Sequence, residues 1–258
     1  SIRNQMLEGM EAARRRVRAN KFIAYFQAYS NTHASVQHLR QLYDEAWCSP
    51  DVVGMSVGTR PDCIDAARVD LLARYTRRGE VWVEYGLQSA HDATLQAINR
   101  CHTYEEFVKA VKSTAGRGIR ICAHTVLGLP GETREMMLET HRRIAALPID
   151  GIKVHLLHIM RDTVMERQYR RGEIHMLSRN DYVGLVCDVL ELLPPTMVIQ
   201  RMHADAPTDV LVAPDWCLDK AGVLNDIRQE LVRRDSWQGK ALGFAIDAIP
   251  AGPTPMVR

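Results

Sequence analysis

The chain has 258 residues, 46% of them hydrophobic, and a net charge of only +2. That is enough apolar mass for one large core with a modest appendage, and too even a charge balance for a nucleic-acid-scale basic surface, so no DNA partner is indicated. The six cysteines are widely spaced with no CxxC or CxxxC pair, and nothing resembles a signal peptide or approaches the ~20 apolar residues of a membrane span. A disulfide framework and a membrane anchor are thus not indicated, and a reducing cytoplasm is the expected compartment.

Ser1-Ile-Arg-Asn-Gln-Met-Leu-Glu-Gly-Met10 carries apolar residues at helical spacing with no strand ahead of it, so the chain is expected to begin inside a domain. The cluster Arg14-Arg15-Arg16-Val-Arg18 on that helix reads as a solvated face. From residue 21 to about 165, strand and helix patterns alternate. Strands are predicted over Phe22–Phe26, Val52–Val57, Val81–Tyr85, Ile119–Val126 and Gly151–Leu156, and helices over Val36–Trp47, Ala66–Arg77, Tyr104–Ala115 and Arg134–Ala146. Strands separated by helices require parallel crossovers, and their continuous apolar character suits a sheet buried on both faces. Thr103-Tyr-Glu-Glu106 has the form of a capping box. The fold class is therefore α/β, and the tight succession of units favours an open or closed barrel over a doubly wound sheet.

Beyond about residue 165 the pattern changes. A helix runs from Arg179 to Leu193-Pro194-Pro195, a strand is predicted over Met197–Arg201, the stretches Asp205–Pro207 and Ala213–Trp216 read as loop, and a last helix spans Ala221–Arg234. The expected organisation is a barrel over 1–165, a small mostly helical extension over 166–248, and a proline-containing disordered tail over 249–258.

Four predicted strands end in polar or small residues: Tyr29-Ser-Asn-Thr32, Gly58-Thr-Arg-Pro-Asp-Cys63, Glu84-Tyr-Gly-Leu-Gln-Ser89 and Gly128-Leu-Pro-Gly131 with Glu132. Strand ends are where α/β barrels carry their chemistry. Glu84 there suits a ligand ammonium or hydroxyl, or equally a buried pair with Arg60 or Arg100. The Gly128–Gly131 turn suits an adenine or phosphate, or simply a strand-to-helix turn. Lys153 and His155 alternate onto one face of the fifth strand. His155 and His158, with His124, invite a zinc-hydrolase reading, against which stands the lack of a further ligand at structural spacing.

With the stretches Lys21–Thr32, Gly58–Cys63, Val83–Ser89, Ile98-Asn-Arg-Cys-His102, Gly128–Glu132 and Gly151-Ile-Lys-Val-His155 in this order, the chain resembles radical S-adenosylmethionine (SAM) proteins of the MiaB-like superfamily, YhcC-type family, up to about residue 234. The resemblance implies a partial (β/α)6 TIM-like barrel, a [4Fe-4S] cluster bound by a CxxxCxxC loop, SAM chelated to the fourth iron, and an electron donor such as flavodoxin or ferredoxin. Reductive cleavage of SAM to a 5′-deoxyadenosyl radical, and hydrogen abstraction from an unknown substrate, RNA among the candidates, would follow. Carried over by position, Ser30, Asn31 and Thr32 lie near the methionine moiety, and Glu84 and Gln88 by the ribose or amino group. Gly128, Leu129, Pro130, Gly131 and the segment from His155 flank the adenine, while Arg60 and Cys63 face the barrel mouth as catalytic candidates. This sequence has no CxxxCxxC, so no metal ligand is assigned within it, and the loop and first strand are expected upstream of Ser1. The alternative is a cluster-free barrel that binds a nucleotide or a protein partner. Met202-His-Ala-Asp205 is a second departure, since relatives tend to have Thr-Gly before the Asp.

Overall fold

The structure is a computed structural model and describes residues 1–248. In chain order it comprises α1 (Ile2–Val17), β1 (Phe22–Phe26), α2 (Val36–Ala46), β2 (Val52–Thr59), α3 (Ala66–Tyr75), β3 (Glu80–Gln88), α4 (Asp92–Ala97), α5 (Tyr104–Thr114) and β4 (Arg120–Leu127). There follow α6 (Arg134–Ala145), β5 (Gly151–Leu156), β6 (Ile159–Met160), α7 (Val164–Arg170), α8 (Arg179–Glu191), β7 (Val198–Arg201), β8 (Leu211–Ala213) and α9 (Lys220–Arg233). Six parallel strands take the order β1-β2-β3-β4-β5-β7, without the reversal of a doubly wound sheet. The α/β class and the parallel sheet agree with the sequence pattern. The expected tail over 249–258 lies outside the described residues.

Helix starts follow from local chemistry. Ser35, Asp65, Thr133, Thr163, Ser178 and Asp219 each cap a helix by accepting a backbone N–H two or three residues on, a contact worth ~1 kcal/mol. α5 begins at Tyr104, whose N–H is bound by the Asp92 carboxylate of α4. Two short helices, α4 and α7, and the two-stranded antiparallel pair β6/β8 were not predicted, and β8 occupies part of the expected loop. Helices of one or two turns and strands of two or three residues show too little periodicity to register in sequence.

By packing, the chain divides into two compact units: Ser1–Leu87 with Glu105–Cys122, and Gln88–Tyr104 with Ala123 onward. In the first, β1, β2 and β3 pair in parallel, with Tyr25 opposite Ser56 and Gly58 opposite Glu84. β2 and β3 are buried along almost their whole length, as a sheet covered on both faces requires. Phe26, Tyr43, Tyr75 and Trp47 form a chain of ring contacts beneath them, and Tyr85 meets Phe107 of α5 edge-on. The crossover from α3 into β3 needs Gly79, because a Cβ there would lie 2.1 Å from the Val53 carbonyl oxygen.

In the second unit β5 and β7 pair in parallel, with Lys153 opposite Arg201. Leu129, Leu157, Ile159, Ile174 and Ala213 form a small apolar core around β6 and β8. α8 and α9 are joined at Arg234, which bonds Asp188 at 2.6 Å and Glu230 at 2.6 Å. Among the described residues no helix is long and apolar enough to cross a membrane.

Candidate functional site

In the first unit the loop after β1 is tied to the end of β2. The Asn31 side-chain amide donates to the carbonyls of Phe26 (3.0 Å) and Gly58 (2.9 Å), and its backbone N–H also reaches Gly58. Tyr43 donates its hydroxyl to the Asn31 carbonyl at 2.6 Å. Thr32 is fully buried, with its hydroxyl 2.6 Å from that of Thr59 and donated to the Cys63 carbonyl at 2.5 Å. The Thr32 hydroxyl and the Asn31 side-chain N–H groups are therefore spent on joining strand ends. Their sequence neighbour Ser30 instead lines an open pocket of about 370 Å³ with Tyr29, His33, Arg60 and Cys63. Arg60 bonds Asp62 through Nε at 2.9 Å, and the Cys63 thiol lies 3.8 Å from the same carboxylate.

Glu84 is 3% exposed near the end of β3. Two neutral hydroxyls hold it, Ser56 on β2 at 2.5 Å and Tyr25 on β1 at 2.9 Å. Strand alternation carries all three side chains onto one face of the sheet. Sequence reasoning passed over Tyr25 and Ser56, because inter-strand register brings them to Glu84 and a sequence does not display register.

In the second unit Gln88 takes a left-handed backbone (φ 73°) where β3 ends, and Ser89 turns its hydroxyl onto the Glu132 carboxylate. The motif ends Ser89 and Glu132 thus brace each other. Burial pushes the Glu132 carboxyl above its ordinary range, opposed by hydrogen bonds from Ser89 and Thr94 and by the charge of His91. Leu129 through Glu132 form a tight turn closed by Glu132 N–H to the Leu129 carbonyl at 3.1 Å. Gly128 opens this turn at φ 83° with Leu177 only 3.3 Å from where a Cβ would stand, so both backbone and space call for glycine. Leu129 points into the small apolar core, whereas nothing lies within 4 Å of the Cβ position of Gly131.

His155 on β5 stacks against His124 at 5.1 Å between ring centres. Burial first, then the neighbouring His124, Arg201, Lys153 and His158, push its pKa down to about 3, so the ring is neutral. Its Nε2 is buried without a hydrogen-bond partner. Among the described residues no three His, Cys, Asp or Glu side chains are grouped to hold a metal ion, and His124, His155 and His158 do not converge as zinc ligands. The same observation decides the fit of an iron–sulfur cluster: Cys48, Cys63, Cys101, Cys122, Cys187 and Cys217 are all free thiols that do not form a ligand set. SAM is a different case. The unpartnered buried Nε2 of His155 can donate or accept one hydrogen bond according to its tautomer, and the open space at Gly131 leaves backbone accessible, groups of the kind a purine edge can use.

Polar strand ends on a parallel α/β sheet are the usual setting of a small-molecule site. Residues 4–144 match the Radical SAM superfamily, and residues 149–233 match the Radical_SAM C-terminal domain. The chain belongs to the radical SAM superfamily. It is 46% identical over 220 residues to the uncharacterized protein YtqA of Bacillus subtilis, covering 85% of this chain and 68% of that one. It is 38% identical over 227 residues to protein YhcC of Escherichia coli, covering 88% and 73%. Among solved structures, the archaeal Methanocaldococcus infernus Elp3 with an N-terminal deletion aligns with a TM-score of 0.78 at 16% identity, covering 92% of this chain. The chain spans 60% of that structure, and the likeness shows a shared radical SAM fold.

Proposed function

We propose that this chain is the SAM-holding part of a radical SAM enzyme of the MiaB-like, YhcC-type group. The reaction is [4Fe-4S]-dependent cleavage of SAM to a 5′-deoxyadenosyl radical, followed by hydrogen abstraction from a substrate, with a flavodoxin or ferredoxin as reductant. Family membership over residues 4–144 is the observation that carries this reading. The residues present do not fit the cluster, so its thiolates are proposed to come from outside these 258 residues, and no step is assigned here to the metal.

What the chain's own residues do can be stated for SAM. In the first unit Glu84, buried and aimed by Ser56 and Tyr25, accepts hydrogen bonds from the cosubstrate's ammonium or hydroxyl groups, and Ser30, Arg60 and Cys63 line an open pocket of the same unit. In the second unit the Gly128–Gly131 turn and the neutral His155 ring face the purine, with Gln88 at the neighbouring strand end. Asn31 and Thr32 act by holding the strand ends in place rather than by touching ligand.

Anaerobic reconstitution with iron and sulfide tests the reading, using this chain beside a form extended at its N-terminus by the corresponding strand and loop of a CxxxCxxC-bearing radical SAM relative. The extended form should acquire cluster absorbance and release 5′-deoxyadenosine from SAM, with bulk RNA added in one arm because RNA is a candidate substrate. An extended form that folds, yet gains no cluster and makes no 5′-deoxyadenosine, leaves the cluster-free nucleotide- or partner-binding barrel as the better account.

A further inference from the structure

The ends of β5 and β7 gather basic groups that the SAM reading leaves without a task. Lys153 stands opposite Arg201 in the parallel register, and His203 follows two residues beyond the end of β7. His203 is 2% exposed, and neither of its ring nitrogens has a hydrogen-bond partner. The Cys217 backbone lies close enough to favour a protonated ring, yet not in a geometry that closes a hydrogen bond. The buried Nε2 of His158 is likewise unpartnered. Each such orphan costs ~1–3 kcal/mol unless something supplies its partner.

The electrostatics of these neighbours connect into one group. His158 acts on both His155 and His203, Arg201 acts on His155 and on Asp205, and Asp205 acts on His203. Two acids adjoin this group: Asp205, both of whose oxygens are bonded to Lys220 at 3.0 and 2.9 Å, and Asp219, which acts on His203 and is bonded to Arg179 at 2.9 Å. The half-buried Arg201 guanidinium makes no hydrogen bond or ion pair among the described residues. Burial lowers the pKa of all three imidazoles; basic neighbours add to the effect at His155, whereas Asp205 opposes it at His203. The group therefore combines a guanidinium that no carboxylate bonds directly with neutral N–H donors.

We propose that Arg201, His158 and His203 form a binding site for an anionic ligand group, a carboxylate or a phosphate. The guanidinium supplies the charge and a two-pronged contact, and the neutral imidazoles donate N–H to the remaining oxygens, so no ring has to be protonated for binding. A neutral ligand would leave the Arg201 charge unmatched, and a cation would be repelled. The site needs only residues of the second unit and does not depend on radical chemistry.

The test is a titration of the full chain with potassium phosphate and, separately, potassium acetate at pH 7.5 and constant ionic strength, read by the histidine 13C–1H resonances. Saturable shifts of His158 and His203 are expected, with Arg201→Gln weakening binding at least tenfold and the exposed Arg228→Gln leaving it unchanged. Tighter phosphate binding assigns a phosphate-bearing ligand, and tighter acetate binding a carboxylate. The absence of saturable shifts in the wild-type chain overturns the proposal, as does binding that survives in Arg201→Gln. Should Arg201→Gln fail to fold, Arg201→Lys keeps the charge but loses the fork, and undiminished binding in a folded His203→Asn variant counts against the site as strongly.

Discussion

Two carried-over residues divide sharply once their atoms are placed. Thr32 has no exposed surface, and its hydroxyl is shared between Thr59 and the Cys63 carbonyl. Thr32→Val removes that hydroxyl at nearly constant volume, taking the donor from the Cys63 carbonyl and leaving Thr59 only its long contact to the Arg60 carbonyl at 3.5 Å. We expect a loss of about 1–3 kcal/mol in urea unfolding, with ligand binding by the folded protein unchanged. Glu84 is the opposite case, because the hydroxyls of Ser56 and Tyr25 aim its carboxylate on one face of the sheet. Glu84→Gln keeps the shape and removes the charge, so SAM affinity in the cluster-loaded, extended form should fall by tenfold or more, the worth of a charge-assisted hydrogen bond. Equal SAM affinity in the two proteins, measured by equilibrium dialysis, would remove Glu84 from the site.

At the level of elements, the turn between β4 and α6 is constrained in both backbone and space. Gly128 combines a left-handed backbone with a leucine side chain 3.3 Å from its missing Cβ. Gly128→Ala should therefore cost about 1–2 kcal/mol, from αL strain together with displacement of Leu177. Gly131→Ala shares the positive φ but meets open space, so it should cost only the backbone part. Comparing the two variants by thermal unfolding separates strain from crowding, and equal losses would show that Leu177 gives way freely. The glycines and the proline of this turn were plain in the sequence. The Ser89–Glu132 brace was not, because its partners lie 43 residues apart and only the folded chain brings them together.

Across the whole molecule, what could be read in advance was whatever repeats locally. The strand–helix alternation marked the five barrel strands and the strand after α8 within a few residues, since apolar runs of five or more carry a clear period. Short elements such as α4, α7, β6 and β8 escaped, and so did every contact that depends on register, from Tyr25 and Ser56 on Glu84 to Arg201 beside His155. Histidine shows why the residue type alone misleads. His155 and His141 look alike in sequence, but His155 keeps an unpartnered nitrogen. His141 is fully engaged, its Nδ1 2.7 Å from the Met137 carbonyl and its Nε2 3.1 Å from the Thr125 hydroxyl.

Burial lowers the His141 pKa to about 4, against the Met137 carbonyl that favours its protonated form. The unfolded chain takes up a proton near pH 6.5 that the folded one refuses until about pH 4, so His141's contribution is intact above pH 6.5, declines as pH falls and levels off below 4. The loss over that window is about 3 kcal/mol. His155, His158 and His203 shift in the same direction and add a background slope. Urea unfolding of wild type and His141→Gln at several pH values between 7.5 and 4 isolates the one residue, since the background is common to both. The wild type should lose stability more steeply between pH 6.5 and 4, by up to one proton's worth of slope, and parallel curves would mean that His141 protonates in place without cost to the fold.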